Sequence, residues 1–181
     1  MAVKKQWYEI VSPKLFGEKV VGETLALDPK QLIGRKVETS LGDVTNDFSK
    51  FYVKLIFQID RVDEKKAYTI FKGHEILTER IYRMVQRRTR RVDVIQIVET
   101  KDNRKVRIKT LFILVRRVNT SIKGTARKKM RELIEEYAKK HTFEEFMTMA
   151  AKGTMNSKLR KECGKIYPIG DLEIRKTEVL D

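Results

Sequence analysis

Along residues 51–62 apolar and polar side chains alternate. Phe51, Val53, Leu55, Phe57 and Ile59 share one phase, and Lys54, Gln58 and Asp60 the other. Alternation of period two predicts a strand with one buried face. Asp63-Glu64-Lys65-Lys66 is a polar turn, and residues 67–71 resume the strand, so the segment reads as a hairpin. Residues 92–100 and 105–118 give a second pair of strands around the turn Lys101-Asp102-Asn103-Arg104. On the later strand Val106, Ile108, Phe112 and Leu114 point one way. The opposite face carries Arg107 and Lys109, then Leu111, Ile113 and Val115. The pattern predicts one fully buried face and one that changes from charged to apolar along its length. Nearer the start, residues 7–11, 19–27 and 36–41 read as shorter strands. Asp28-Pro29 opens a helical turn that Gly34 ends.

The period then lengthens. Thr78 is placed to cap a short helix through residue 88, with Ile81, Met84 and Val85 inward. Arg80, Arg83, Arg87 and Arg88 would line its outer face and its C-terminal end, where cations complement the helix dipole. Thr125 is placed to cap a helix over 126–140, whose Met130, Leu133, Ile134 and Tyr137 fall at core-stripe spacing. Thr142-Phe143-Glu144-Glu145 is a capping box for the next helix, which Gly153 ends. Residues 156–165 read as a third helix and 172–179 as a closing strand. The expected fold is α+β: an antiparallel sheet curled toward a barrel, with helices mainly in the C-terminal third. Residues 1–120 would form a mainly β core, with the helical segment and closing strand of 121–181 packed on it as one domain.

Charge sharpens the picture. The chain has 181 residues and a formal net charge of +15. Between Arg80 and Arg131 there are 18 Lys or Arg and three acids, Asp93, Glu99 and Asp102, whereas the remaining residues carry 22 of each sign. The whole excess therefore sits in under a third of the sequence, which points to a polyanion rather than to a general bias for solubility. Cys163 stands alone, so no internal disulfide is possible, which fits a reducing compartment. Residues 1–8 hold no apolar run of signal-peptide length, and no stretch approaches the roughly 20 apolar residues of a membrane span.

Arg87-Arg88-Thr89-Arg90-Arg91 concentrates four guanidinium groups in five residues. Their charge is permanent, and the planar fork matches phosphate oxygens bidentately. Arg104, Lys105, Arg107 and Lys109 follow in the second strand pair, and Arg116 and Arg117 at its end. Lys123, Arg127, Lys128, Lys129 and Arg131 lie across a loop and the expected helix start, where bases oppose the dipole unless an external anion is present. With Arg80 and Arg83, these are the candidate RNA-binding residues. Helix-turn-helix, zinc-finger and basic-zipper signatures are absent, which leans the reading toward RNA. An anionic membrane fits less well, because the basic segment has no apolar amphipathic face.

Catalytic chemistry finds little support. His74 and His141 are far apart, and neither belongs to a cluster with metal-ligand spacing. His74-Glu75 reads as structural, and Cys163, despite Lys161 and Lys165 nearby, as a small apolar residue. No phosphate-binding glycine loop occurs. Asp60, Asp63 and Glu64 could imitate a magnesium-holding nuclease cluster, but they fall at a hairpin turn where solvated acids are ordinary. No catalytic residue, metal or cofactor is expected. An RNA-processing enzyme built on those carboxylates and His74, and a free-standing RNA-binding translation factor, are the alternatives.

Several blocks resemble a known family. Lys5-Gln6-Trp7-Tyr8 with Pro13 and Phe16, Ile33-Gly34-Arg35-Lys36-Val37-Glu38-Thr39-Ser40-Leu41, Phe71-Lys72-Gly73-His74-Glu75, and Cys163-Gly164-Lys165-Ile166-Tyr167-Pro168 followed by Ile174-Arg175-Lys176 occur in the order of the S-three-A-e (S-one-e) family of small-subunit ribosomal proteins. Gly73 and His74 stand in the opposite order to some members. The chain resembles the archaeal form, without the extensions of eukaryotic members. The resemblance implies a structural role on the platform of the small subunit, near the messenger RNA exit. The implied partners are small-subunit ribosomal RNA, neighbouring ribosomal proteins and messenger RNA near the exit, in a cytoplasmic ribosome with no membrane contact.

Overall fold

The structure is a computed structural model and describes residues 5–180. It forms two compact units, Met1–Gly73 and His74–Asp181. The fold is α+β, with a mixed sheet and its longer helices late in the chain.

The first unit contains β1 (Gln6–Val11), β2 (Val20–Ala26), β3 (Lys36–Ser40), β4 (Val53–Asp63) and the start of β5 (Lys66–Ile76). Their order is β2-β1-β5-β4-β3. The pairing of β1 with β5 is parallel, with Glu9 opposite Lys66 and Val11 opposite Tyr68. A wholly antiparallel sheet is therefore corrected to a mixed one. The intervening strands carry the chain round so that β5 returns alongside β1 in the same direction. Among the described residues β2 and β3 are the two edges of this unit, and its strands do not close into a barrel.

Within β4 the alternation holds: Val53, Leu55, Phe57 and Ile59 are buried, while Lys54 and Asp60 are exposed; Phe51, expected on the same buried face, precedes the strand and is exposed. Phe57 meets Phe16 and Phe71 at ring-centroid distances of 5.7 and 6.0 Å, and Phe16 meets Phe71 at 5.2 Å. A second group joins Tyr8, Ala26, Leu32, Ile59 and Ala67. A five-residue helix, α1 (Leu41–Thr45), breaks the path where the sequence reading continued a strand to Leu41. The Ser40 side chain caps it by accepting the Gly42 N–H at 3.0 Å.

The second unit holds the end of β5, α2 (Thr78–Met84), β6 (Arg90–Glu99), β7 (Lys105–Leu114), α3 (Thr120–Lys140), α4 (Phe143–Lys152), α5 (Asn156–Gly164) and β8 (Ile169–Leu180). β6, β7 and β8 are antiparallel neighbours in that order. Along β7 the change of character is present, since Arg107 and Lys109 are half-buried and every residue from Thr110 to Leu114 is buried, but the strand ends at Leu114 rather than at residue 118 and Val115 is exposed. Met130, Leu133 and Ile134 form the buried stripe of α3, as their spacing predicts.

Two helix starts differ from the sequence reading. α3 begins at Thr120, after Asn119, rather than at residue 126. Thr125 is inside the helix, and its hydroxyl donates back to the Ser121 carbonyl at 3.1 Å. A threonine can serve either role, and the packed helix supplies the four-residue return bond that competes with capping. α2 follows Leu77, takes in Thr78 and stops at Met84 instead of reaching residue 88. Where the cap geometry is encoded locally, it holds: Thr142 accepts the Glu145 N–H, the Glu145 carboxylate accepts the Thr142 N–H at 3.2 Å, and Gly153 closes α4 at φ 71°.

Candidate nucleic-acid interface

The early end of α2 relocates two candidates. Arg87 and Arg88 are not on a helix; they are the central pair of a turn closed by the Thr89 hydroxyl donating to the Gln86 carbonyl at 2.7 Å. Arg88 holds φ 66°, a left-handed conformation that costs an L-residue about 1 kcal/mol and directs the chain into β6. β6 opens with Arg90, whose register partner is Leu114 at the end of β7. Arg116 and Arg117 follow directly. Residues nearly thirty apart in sequence thus meet at one end of the β6–β7 pair. Arg87, Arg88, Arg90, Arg116 and Arg117 are all exposed, and among the described residues no carboxylate lies within ion-pair distance of any of them.

The other candidates divide. Arg83 is exposed near the end of α2, and Lys128 and Arg131 are exposed on α3, with Lys123 half-buried there. Arg104 and Lys105 sit at the opposite end of the hairpin, roughly 30 Å away along the ten residues of β6. Arg104 lies over the Phe143 ring at 4.9 Å, and Lys105 meets Glu99 at 3.7 Å. The remainder are held by the protein's own acceptors. Arg91 grips the Asp93 carboxylate at 2.8 Å, Arg127 Nε donates to the Asp93 carbonyl at 3.2 Å, and Lys129 meets Glu132 at 3.8 Å. Arg80 reaches Asp171 and Glu173 at 3.5 Å each.

Arg107 and Lys109 are consumed by a charge ladder across the sheet. Glu178 on β8 takes Arg107 at 3.4 Å and Lys109 at 3.7 Å. Lys176 meets the same Glu178 at 3.2 Å and Glu75 at 3.0 Å. Burial works to raise the Glu178 pKa, but Lys176, Lys109 and Arg107 outweigh it and hold the carboxyl below its ordinary value. The hydrogen bond to Glu75 acts most strongly to raise Lys176. The basic segment therefore finds acids in β8, far along the chain, that its own three acids did not foretell.

His74 is buried within the second unit at 1% exposure. Its Nε2 faces the Ile174 carbonyl at 3.1 Å, an acceptor only, so Nε2 carries the proton. The Thr177 hydroxyl then donates to Nδ1 at 2.8 Å and accepts the His74 backbone N–H at 3.1 Å. Desolvation lowers the imidazole to about pKa 4. This is a neutral, fully bonded core histidine. Cys163 is also buried; desolvation lifts its thiol to about 11, so the nearby lysines do not activate it. Asp60, Asp63 and Glu64 are exposed on and beside the β4–β5 turn, with Glu64 at φ 49°. Among the described residues no three His, Cys, Asp or Glu side chains converge to hold a metal, and no helix is long and apolar enough to cross a membrane.

Fold and surface define a class, a strongly basic α+β structural protein. The chain belongs to the Ribosomal S3Ae family, whose profile matches residues 2–181. It is 43% identical over 178 residues to the small ribosomal subunit protein eS1 of Methanothermobacter thermautotrophicus, covering 98% of this chain and 91% of that one. The protein of the same name in Methanopyrus kandleri is 41% identical over 98% of this chain and 86% of its own. That of Aeropyrum pernix is 39% identical, with 97% and 84% covered. This is a family of ribosomal structural proteins and not of enzymes, so the RNA-processing alternative falls.

Proposed function

We propose that this chain is a structural constituent of the small ribosomal subunit, taking part in translation, and that it binds ribosomal RNA chiefly through Arg87, Arg88, Arg90, Arg116 and Arg117. The observation that carries the proposal is their convergence at one end of the β6–β7 pair without carboxylate partners among the described residues. Permanent, exposed guanidinium forks gathered in this way suit a phosphate backbone and no internal need. Arg83, Lys123, Lys128 and Arg131 extend the surface, and Arg104 gives a second point of contact at the far end. Arg80, Arg91, Lys105, Arg107, Lys109, Arg127 and Lys129, engaged within the fold, add field rather than direct contacts.

The printed name of the relatives and the ordered sequence blocks support a place in the cytoplasmic ribosome. We take the platform near the messenger RNA exit as the location, with ribosomal RNA, neighbouring small-subunit proteins and messenger RNA as partners. Sedimentation of a native lysate after a moderate-salt wash tests residence: about one copy per small subunit is expected, and free protein at the top of the gradient would overturn it. Replacing the five arginines with alanine tests the site. The slope of log affinity against log salt should flatten by about 3.5–4.5, at roughly 0.7–0.9 per phosphate contact. An unchanged slope removes these residues from the interface.

A further inference from the structure

β6 carries two large apolar side chains that the core does not use. Ile95 is 57% and Ile97 55% exposed, on the face opposite the buried Val92, Val94 and Val98. Their register partners on β7 are Lys109 and Arg107. β6 pairs with β7 alone among the described strands, so its other edge is open.

The hydrogen-bond alternation identifies which backbone groups line that edge. Antiparallel partners alternate between bonded and non-bonded pairs. The Thr100 N–H donates to the Arg104 carbonyl at 3.0 Å, which fixes the phase: even-numbered residues of β6 face β7. Arg91, Asp93, Ile95, Ile97 and Glu99 then direct N–H and C=O outward. The Asp93 carbonyl bears this out independently, because Arg127 reaches it from α3. Ile95 and Ile97 thus combine an exposed β-branched side chain with an outward backbone donor and acceptor. Edge strands are ordinarily blunted by proline, a bulge, short length, charged side chains or a covering element; charged Arg91, Asp93 and Glu99 and the reach of Arg127 to the Asp93 carbonyl guard the ends of this edge, and the Ile95–Ile97 stretch between them carries neither device. β6 has ten residues, no proline and an unbroken register against β7.

We infer that the β6 edge is a docking site for an extended segment of another protein, apolar on the Ile95–Ile97 face and acidic on the α3 face. The pattern follows from strand geometry, in which alternate side chains take opposite faces. On one face Ile95 and Ile97 offer cross-strand apolar partners. On the other, Arg127 and Arg131 of α3 flank the strand: Arg127 holds the Asp93 carbonyl, and Arg131 presents its own carbonyl to Gln96 Nε2 at 3.3 Å. Exposed Lys128 and Arg90 add to the positive surround. A second copy is disfavoured, since each chain carries +15 and two such edges would oppose like charges. RNA has no amide ladder with which to continue a sheet. Arg90, Lys128 and Arg131 are shared with the proposed RNA surface, but the outward backbone groups and side chains of Ile95 and Ile97 are not part of it.

The test uses the full chain and a synthetic peptide of alternating valine and glutamate as long as β6. Amide hydrogen exchange is read by NMR. The peptide should slow exchange at Ile95 and Ile97 by at least about tenfold, while a peptide of the same composition with its valines and glutamates in separate blocks should not. Ile97→Pro removes an outward N–H and no bond to β7, so it should abolish the protection with the circular dichroism unchanged. Ile95→Lys serves the same purpose if the proline variant does not fold. Equal exchange with and without the alternating peptide overturns the inference, as does equal protection by the block peptide or by an RNA oligomer.

Discussion

The second unit encloses an imidazole that cannot accept a proton without losing its surroundings. His74 has a pKa of about 4 in the folded chain against 6.5 when exposed. Between those values the unfolded chain binds a proton that the folded chain refuses, so stability rises with pH across that window. The contribution of His74 is complete above about pH 6.5 and drains away as pH falls toward 4. At about 1.4 kcal/mol per pH unit, the full window amounts to about 3 kcal/mol, most of which is lost by pH 4.5. That is a large part of the roughly 5–15 kcal/mol that holds a domain together. Urea unfolding followed by far-ultraviolet circular dichroism suits the measurement, because α2 to α5 all lie in this unit, whereas Trp7 reports on the other. Wild type and His74→Gln are compared at pH 7.5 and 4.5. The subtraction removes carboxylates that begin to protonate in both. Wild type should lose about 2–3 kcal/mol more than the variant. Equal losses, or a His74 ring resonance titrating near 6.5 in the folded chain, would refute the reasoning; the resonance decides alone if the variant does not fold.

Thr177→Val strips the buried His74 N–H and Nδ1 of their shared partner, and should cost about 2–4 kcal/mol in the same urea experiment. Thr142→Ala removes the capping-box hydroxyl of α4 and should cost about 1 kcal/mol, read as a lower melting temperature. Cys163, with its thiol near 11 and its side chain buried, should react with iodoacetamide at pH 8 at least about a hundredfold more slowly in native than in denatured protein; equal rates would contradict the packing of α5.

Features with a local cause were mostly legible in the chain, the caps read at Thr78 and Thr125 being the exceptions. The period-two alternation of residues 51–62 could only bury Val53, Leu55, Phe57 and Ile59 together. The capping box at Thr142 and the left-handed Gly153 marked both ends of α4, because the groups that satisfy those ends lie within a few residues of them. The stripe through Met130 and Ile134 likewise followed from spacing alone. The ordered blocks from Lys5 to Lys176 carried the family, and the run of bases carried the sign of the partner. Tertiary structure decided which of those bases remain available. Lys109 and Glu178 are 69 positions apart, and Arg80 and Glu173 are 93, yet each pair meets because β7 and β8 run side by side and α2 reaches β8. No local pattern encodes such a meeting. The same pairing of β6 with β7 brings Arg90 beside the end that bears Arg116, leaving one group of arginines without a carboxylate partner among the described residues. It also leaves the outer edge of β6, at Ile95 and Ile97, unpaired by any other described strand. Charge in a chain is additive, but its neutralisation depends on distances that only the folded sheet sets.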